Sequence, residues 1–129
     1  MADTALVAIV DDDESMRESL PRLVHQLGFP VRTFTCAEDF LASDCVSRTR
    51  CLILDVAMPG MSGPDLKREL TRRGQTIPIV FITGQADEDL RRQLIADGAV
   101  DCLFKPFHAM ALLKALNAAM QHSTQEIRR

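Results

Sequence analysis

The stretch Cys51-Leu52-Ile53-Leu54-Asp55-Val56-Ala57-Met58-Pro59-Gly60-Met61-Ser62-Gly63 decides the fold. Its first four residues form a continuous apolar run, the pattern of a buried strand. The run stops at one carboxylate, Asp55, and a turn rich in Pro and Gly follows. Pro64 then stands where the first residue of a helix belongs. This order places Asp55 at the C-terminal end of a strand, facing a loop. In open α/β sheets that edge is where ligands bind. A solitary Asp there would be an ordinary cap or turn residue, so its partners decide its meaning.

Upstream, Leu6-Val7-Ala8-Ile9-Val10 is a second continuous apolar run, as a parallel strand covered on both faces requires. Asp11, Asp12 and Asp13 end it. Met16, Leu20, Leu23, Val24 and Leu27 then recur at helical spacing until Gly28. Pro21 falls inside this helix, where proline costs about 3 kcal/mol and predicts a bend. Val31-Arg32-Thr33-Phe34 alternates, as a half-exposed or edge strand does. Thr35 and Glu38 predict a capping box for a short helix carrying Phe40 and Leu41, with Ser43 to Arg50 a polar loop.

Downstream, a helix with Leu66 and Leu70 inward ends at Gly74, and Ile79-Val80-Phe81-Ile82 is another buried strand, running to Thr83. The helix expected from about Ala86 to Asp97 begins with acids, which suits its dipole. Arg91 and Arg92 are expected to pair with Asp87 and Glu88, four residues before each. Cys102-Leu103-Phe104 is a fifth strand, ending at Lys105-Pro106. The last amphipathic helix carries Met110, Leu113, Leu116 and Met120, and the chain turns polar from Gln121.

Five alternations of strand and helix predict a parallel sheet with right-handed crossovers. The three most apolar strands belong inside, which gives a flavodoxin-like (βα)5 three-layer α/β sandwich of strand order 2-1-3-4-5. One domain over residues 1–122 accounts for the 129 residues, with 123–129 a polar tail or the start of a linker. A hydrophobic content of 47% and a charged content of 26% mark an ordinary globular chain. No apolar run approaches the roughly 20 residues of a membrane span. Met1-Ala2-Asp3-Thr4 lacks the basic start of a signal peptide. The net charge of −3, with no dominant block among 15 Lys and Arg, argues against this segment binding nucleic acid by itself. Cys36, Cys45, Cys51 and Cys102 lack zinc-site spacing, and a reducing cytoplasm is the expected compartment.

Four of the five expected strands end in polar residues. The first closes on Asp11-Asp12, the third on Asp55, the fourth on Thr83 and the fifth on Lys105. A parallel sheet gathers these ends on one edge. Crowded carboxylates repel, and burial makes their charge costlier. A hard divalent cation such as Mg2+ resolves that conflict. A carboxylate beside it can attack phosphorus, with the ammonium and hydroxyl sharing the phosphoryl oxygens.

The chain resembles the receiver domain of bacterial two-component response regulators from about Leu6 to Met120. The residues that carry the resemblance are Asp11-Asp12, Asp55 in LILDVAMPGMSG, Thr83 in VFITG, and Lys105-Pro106-Phe107. Their setting is most similar to the FixJ-type subgroup. The resemblance implies that Asp55 accepts a phosphoryl group from the phosphohistidine of a sensor histidine kinase. It implies that Asp12, Asp55 and the Ala57 carbonyl bind Mg2+ (or Mn2+), with Asp11 acting through water. Thr83 and Lys105 would engage the phosphoryl group, and the Lys105-Pro106 bond would be cis. Beyond self-phosphorylation from the donor and slow dephosphorylation, no enzymatic activity is implied. A homodimer on phosphorylation, and DNA binding only through a further C-terminal domain, belong to the same implication.

Ala57 and Gln85, two residues beyond Asp55 and Thr83, flank the line along which water must attack, so both are expected to tune dephosphorylation. Cys102 departs from the family, which usually places Phe or Tyr three residues before the lysine. With a thiol there, phosphorylation is expected to move the loop after Thr83 and the helix that follows, leaving Cys102 a passive filler. Two rivals remain. A Mg2+ phosphatase or phosphotransferase with an aspartate nucleophile needs a second acid at position 57, where this chain has Ala. A binding module with the fold alone has no need of all five site residues.

Overall fold

A computed structural model of the chain describes residues 5–128, with side chains through Gln121. Five strands and five helices alternate in it: β1 (Leu6–Val10), α1 (Glu14–Gln26), β2 (Val31–Phe34), α2 (Ala37–Ala42), β3 (Thr49–Asp55), α3 (Gly63–Arg72), β4 (Ile79–Thr83), α4 (Glu88–Ala96), β5 (Asp101–Phe104) and α5 (Ala109–Arg128). All strands pair in parallel in the order β2-β1-β3-β4-β5. The most apolar strands are therefore central, and the alternating β2 lies at an edge.

Successive residues of a strand face opposite sides of the sheet, and each central strand is apolar on both sides. Val10, Leu54 and Phe81 pack on one face with Phe40, Leu66 and Leu94. Ile9, Ile53 and Ile82 pack on the other with Leu20, Val24, Leu112 and Leu116. α2, α3 and α4 thus cover one face, and α1 and α5 the other. Burying each of these large side chains contributes about 1.5–3 kcal/mol. The helix ends follow local chemistry. Asp13 caps α1 by accepting the Ser15 N–H, and Gly28 takes the φ of +100° that the following turn requires.

Several local expectations are corrected. The capping box on Thr35 and Glu38 does not form, because Cys36 occupies the cap position and the Thr35 hydroxyl donates to Asp39 at 3.2 Å. The segment from Ser43 to Arg50 is not all loop. A 3-10 turn spans Val46–Arg48, and β3 starts at Thr49, whose hydroxyl is satisfied by the Cys45 carbonyl at 2.8 Å. Gly63, not Pro64, opens α3, behind a reciprocal Ser62–Asp65 capping box. α4 starts at Glu88 because Asp87 serves as its cap. Arg92 accordingly pairs with Asp89, and Arg91 reaches Glu88 and across to Asp101 on β5. On α5 the buried stripe is Leu112, Ala115, Leu116 and Ala119, while Met110 is 72% exposed. α5 stays helical to Arg128; the side chains beyond Gln121, and Met1-Ala2-Asp3-Thr4, lie outside the described residues.

Gly63 is where the fold meets the site. Its N–H donates to the Val56 carbonyl at 2.9 Å and closes the loop after β3. A Cβ at this position would lie 2.4 Å from the Asp55 carbonyl oxygen and 3.1 Å from the Val56 Cα. Backbone cannot yield as a flexible side chain does. We predict that Gly63→Ala lowers the unfolding free energy by about 3 kcal/mol, the upper range for overpacking, as read by urea denaturation. Unchanged stability would mean that the loop closes without this contact.

Candidate functional site

Register fixes where the polar strand ends meet. Val10 pairs with Leu54, so Asp11 and Asp55 fall one step beyond on adjoining strands. Asp55 pairs with Ile82, which brings Thr83 beside it from β4. The Lys105 N–H donates to the Thr83 carbonyl at 2.8 Å, carrying the register past the end of β5. Parallel pairing alone thus delivers five polar side chains to one pole.

Ligand oxygens of Asp11, Asp12 and Asp55 lie within 4.8 Å of one another. Asp11 is fully buried, Asp55 is 6% exposed, and Asp12 is open to solvent. Asp11 is already engaged on both oxygens. Oδ1 accepts the Asp13 N–H at 2.9 Å, and Oδ2 accepts from Lys105 Nζ at 3.1 Å. Lys105 Nζ stands 4.0 Å from Asp55 Oδ1. One ammonium is therefore shared between two buried acids. Burial, followed by the charge of Asp11, pushes the Asp55 carboxyl from 3.8 up to about 7; Lys105 opposes the rise, and a shared hydrogen bond with Asp11 and the charge of Asp12 add to it. The site has one ammonium for three carboxylates, and the acids offer only oxygen ligands. That chemistry fits a hard divalent cation.

Thr83 is 4% exposed, and its Oγ1 accepts the Gln85 N–H at 3.1 Å, leaving the hydroxyl proton free to donate. Ala57 and Gln85 are both exposed at the rim. The Lys105–Pro106 peptide is cis. Cys102 is buried on the α4 side of the sheet, and burial pushes its thiol up to about 11, so it stays protonated and apolar in character. Cys51 is likewise pushed up, to about 12.

Two supporting groups escaped the sequence reading. The Arg17 guanidinium donates to the Asp11 carbonyl at 3.1 Å and holds the first acidic loop against α1. A contact over six residues across a strand–helix turn has no periodic signature. Met58, in the turn after Asp55, is only 8% exposed and packs under the loop. Its place in an apolar stretch, Val56 to Met61, was the available signal.

An open five-stranded parallel sheet with an acidic pole and an adjoining ammonium defines a flavodoxin-like domain with a candidate cation site. The family model of the response regulator receiver domain matches residues 7–117, and the chain belongs to that family of signalling domains. The response regulator protein TodT of Pseudomonas putida is 42% identical over 127 residues, which cover 98% of this chain and 56% of TodT. The transcriptional regulatory protein FixJ of Azorhizobium caulinodans is 35% identical over 98% of this chain and 60% of its own length. The crystal structure of FixJ-N superposes with a TM-score of 0.82 at 37% identity, covering 95% of this chain and 97% of that one. The chain spans little more than half the length of these two curated relatives.

The raised Asp55 carboxyl has a consequence for stability. Between its unfolded value near 3.8 and about 7, the native state holds more protons than the unfolded state. Stability therefore falls as pH rises through that window, and levels off above it. Asp55→Asn removes the buried charge. In the presence of a chelator the variant should exceed the parent by about 2 kcal/mol at pH 8, with the gap closing toward pH 4. A gap independent of pH would contradict this electrostatic account.

Proposed function

We propose that the domain is a phosphorylation-controlled switch in which Asp55 accepts a phosphoryl group from the phosphohistidine of a sensor histidine kinase. The observation that carries this reading is the gathering of the Asp55 carboxyl with Asp11, Asp12 and Lys105 at the strand-end edge. An Asp55 carboxylate oxygen forms the new bond to phosphorus as the bond from phosphorus to the donor imidazole nitrogen breaks. The imidazole leaves and takes its proton from solvent. Attack requires the ionised carboxylate, which Lys105 favours and which a bound cation would favour further.

Asp12, Asp55 and the Ala57 carbonyl would hold Mg2+ (or Mn2+) in this reading. Asp11, with both oxygens already engaged, acts through water. When bound, the cation neutralises charge that builds on the phosphoryl oxygens. Lys105 is one short movement from pairing with the same oxygens, and the free hydroxyl proton of Thr83 donates to another. Ala57 and Gln85, exposed on either side, set how easily water reaches the aspartyl phosphate. Ala57 supplies no acid for a leaving group, which speaks against a phosphatase built on the same site.

Residues 1–122 make up the receiver unit in this reading, and 123–129 begin a linker to an output domain. The length of the relatives, and the printed name of FixJ, support an output in transcription. DNA would then be bound by a further C-terminal domain, and phosphorylation would favour a homodimer. The described cysteines are all free, in keeping with a reducing cytoplasm, and no described helix is long and apolar enough to cross a membrane. Intact-mass measurement after acetyl phosphate treatment tests the reading. One added phosphoryl group is expected with Mg2+, and none with a chelator or in Asp55→Asn. Equal labelling of Asp55→Asn would refute it.

A further inference from the structure

Of the four helices before α5, the one that follows Thr83 is held least by burial. α4 buries a single side chain, Leu94, whereas α1 and α2 bury two each and α3 buries three residues. Much of its attachment is polar. Arg91 Nε donates to the Cys102 carbonyl at 3.2 Å, and Arg91 Nη2 donates to Asp101 Oδ1 at 3.2 Å. The same Asp101 oxygen accepts the Cys102 N–H at 2.7 Å, which fixes the carboxylate in place. Glu88, one turn earlier on α4, stands 3.9 Å from Arg91 Nη1. The planar guanidinium thus spans from the helix to both the backbone and a side chain of β5.

A second set of bonds ties α4 to the site. Gln85 N–H donates to Thr83 Oγ1 at 3.1 Å, and the Gln85 carbonyl accepts the Asp87 N–H at 2.9 Å. Asp87 in turn caps α4 by accepting the N–H groups of Asp89 and Leu90. A shift of the Thr83 hydroxyl therefore reaches the helix cap through consecutive hydrogen bonds. Residues 84–89 are exposed, so packing does not absorb the shift. What resists it is the Arg91 tie, one turn further along.

We propose that Arg91 is a latch, holding α4 against β5 in the unphosphorylated domain and released from Asp101 and the Cys102 carbonyl on phosphorylation. The proposal rests on Asp55 being the phosphoacceptor. It supplies a two-state element that the small, buried Cys102 thiol does not. Arg91 touches no reacting atom, so it is a positioning residue. A tie present in only one state biases the equilibrium toward that state. By linkage, cutting it must favour the phosphoryl group as much as the phosphoryl group favours release.

The test is a double-mutant cycle on the full chain, with Arg91→Ala, Asp101→Asn and the double variant. Asp101→Asn keeps an oxygen for the Cys102 N–H while removing the charge that Arg91 pairs with. Each single variant should bind beryllofluoride with Mg2+ about fivefold more tightly than the parent, and label faster with acetyl phosphate. The double variant should gain no more than one single variant. A merely structural contact would produce the opposite, looser binding in a weakened fold. If Arg91→Ala does not fold, Asp101→Asn alone decides. Equal or weaker affinity in folded variants of a parent that labels overturns the latch. A parent that never labels overturns the phosphoacceptor reading, and the latch with it.

Discussion

Three carboxylates share one end of the sheet with a single ammonium, and the rest of the domain is arranged around that imbalance. Lys105 stands 3.1 Å from Asp11 and 4.0 Å from Asp55, so it offsets the first more fully than the second. Burial, and then the charge of Asp11, push the Asp55 carboxyl up to about 7 against the pull of Lys105. A fold selected for stability alone would place an Asn or an apolar residue there, because a buried charge without full compensation is costly. The parallel sheet holds these groups together through backbone pairing, far from the acids themselves. Strain of this kind persists only where the surrounding packing is strong. Here β1, β3 and β4 provide it, buried on both faces.

The same imbalance makes the site responsive. A cation bound by Asp12 and Asp55, or an ammonium drawn closer, relieves repulsion that the fold cannot relieve by itself. On the proposed function a phosphoryl group on Asp55 would draw in Lys105 and the hydroxyl of Thr83, and Thr83 already leads through Gln85 and Asp87 to α4. The sheet edge and the start of α4 are joined by a few hydrogen bonds, each with a named donor and acceptor.

Much of this was legible in the chain. Runs such as Leu6–Val10 and Ile79–Ile82 have no polar face, which suits strands covered on both sides, and the alternation of Val31–Phe34 suits a half-exposed or edge strand. Once the order was fixed, the strand-end residues followed by counting. What escaped were features set by competition or by long-range contact. Thr35 lost its capping role because its hydroxyl found Asp39, and Met110 turned outward because the stripe on α5 runs through Leu112 and Leu116. Arg91 was read as a partner for its own helix, since helical spacing shows only neighbours along the helix. Its reach to Asp101, ten residues on, depends on how α4 lies across β5.

The strand-end acids are proposed to form a cation-dependent site, with Asp12 the open ligand and Asp11 already engaged. The melting temperature as a function of Mg2+ concentration at pH 8 tests it most directly. A ligand that binds only the native state raises that temperature in step with its occupancy. The account predicts a progressive rise in the parent, nearly abolished in Asp12→Asn and partly kept in Asp11→Asn. A parent insensitive to Mg2+, or an Asp12→Asn protein that responds as fully as the parent, would contradict it.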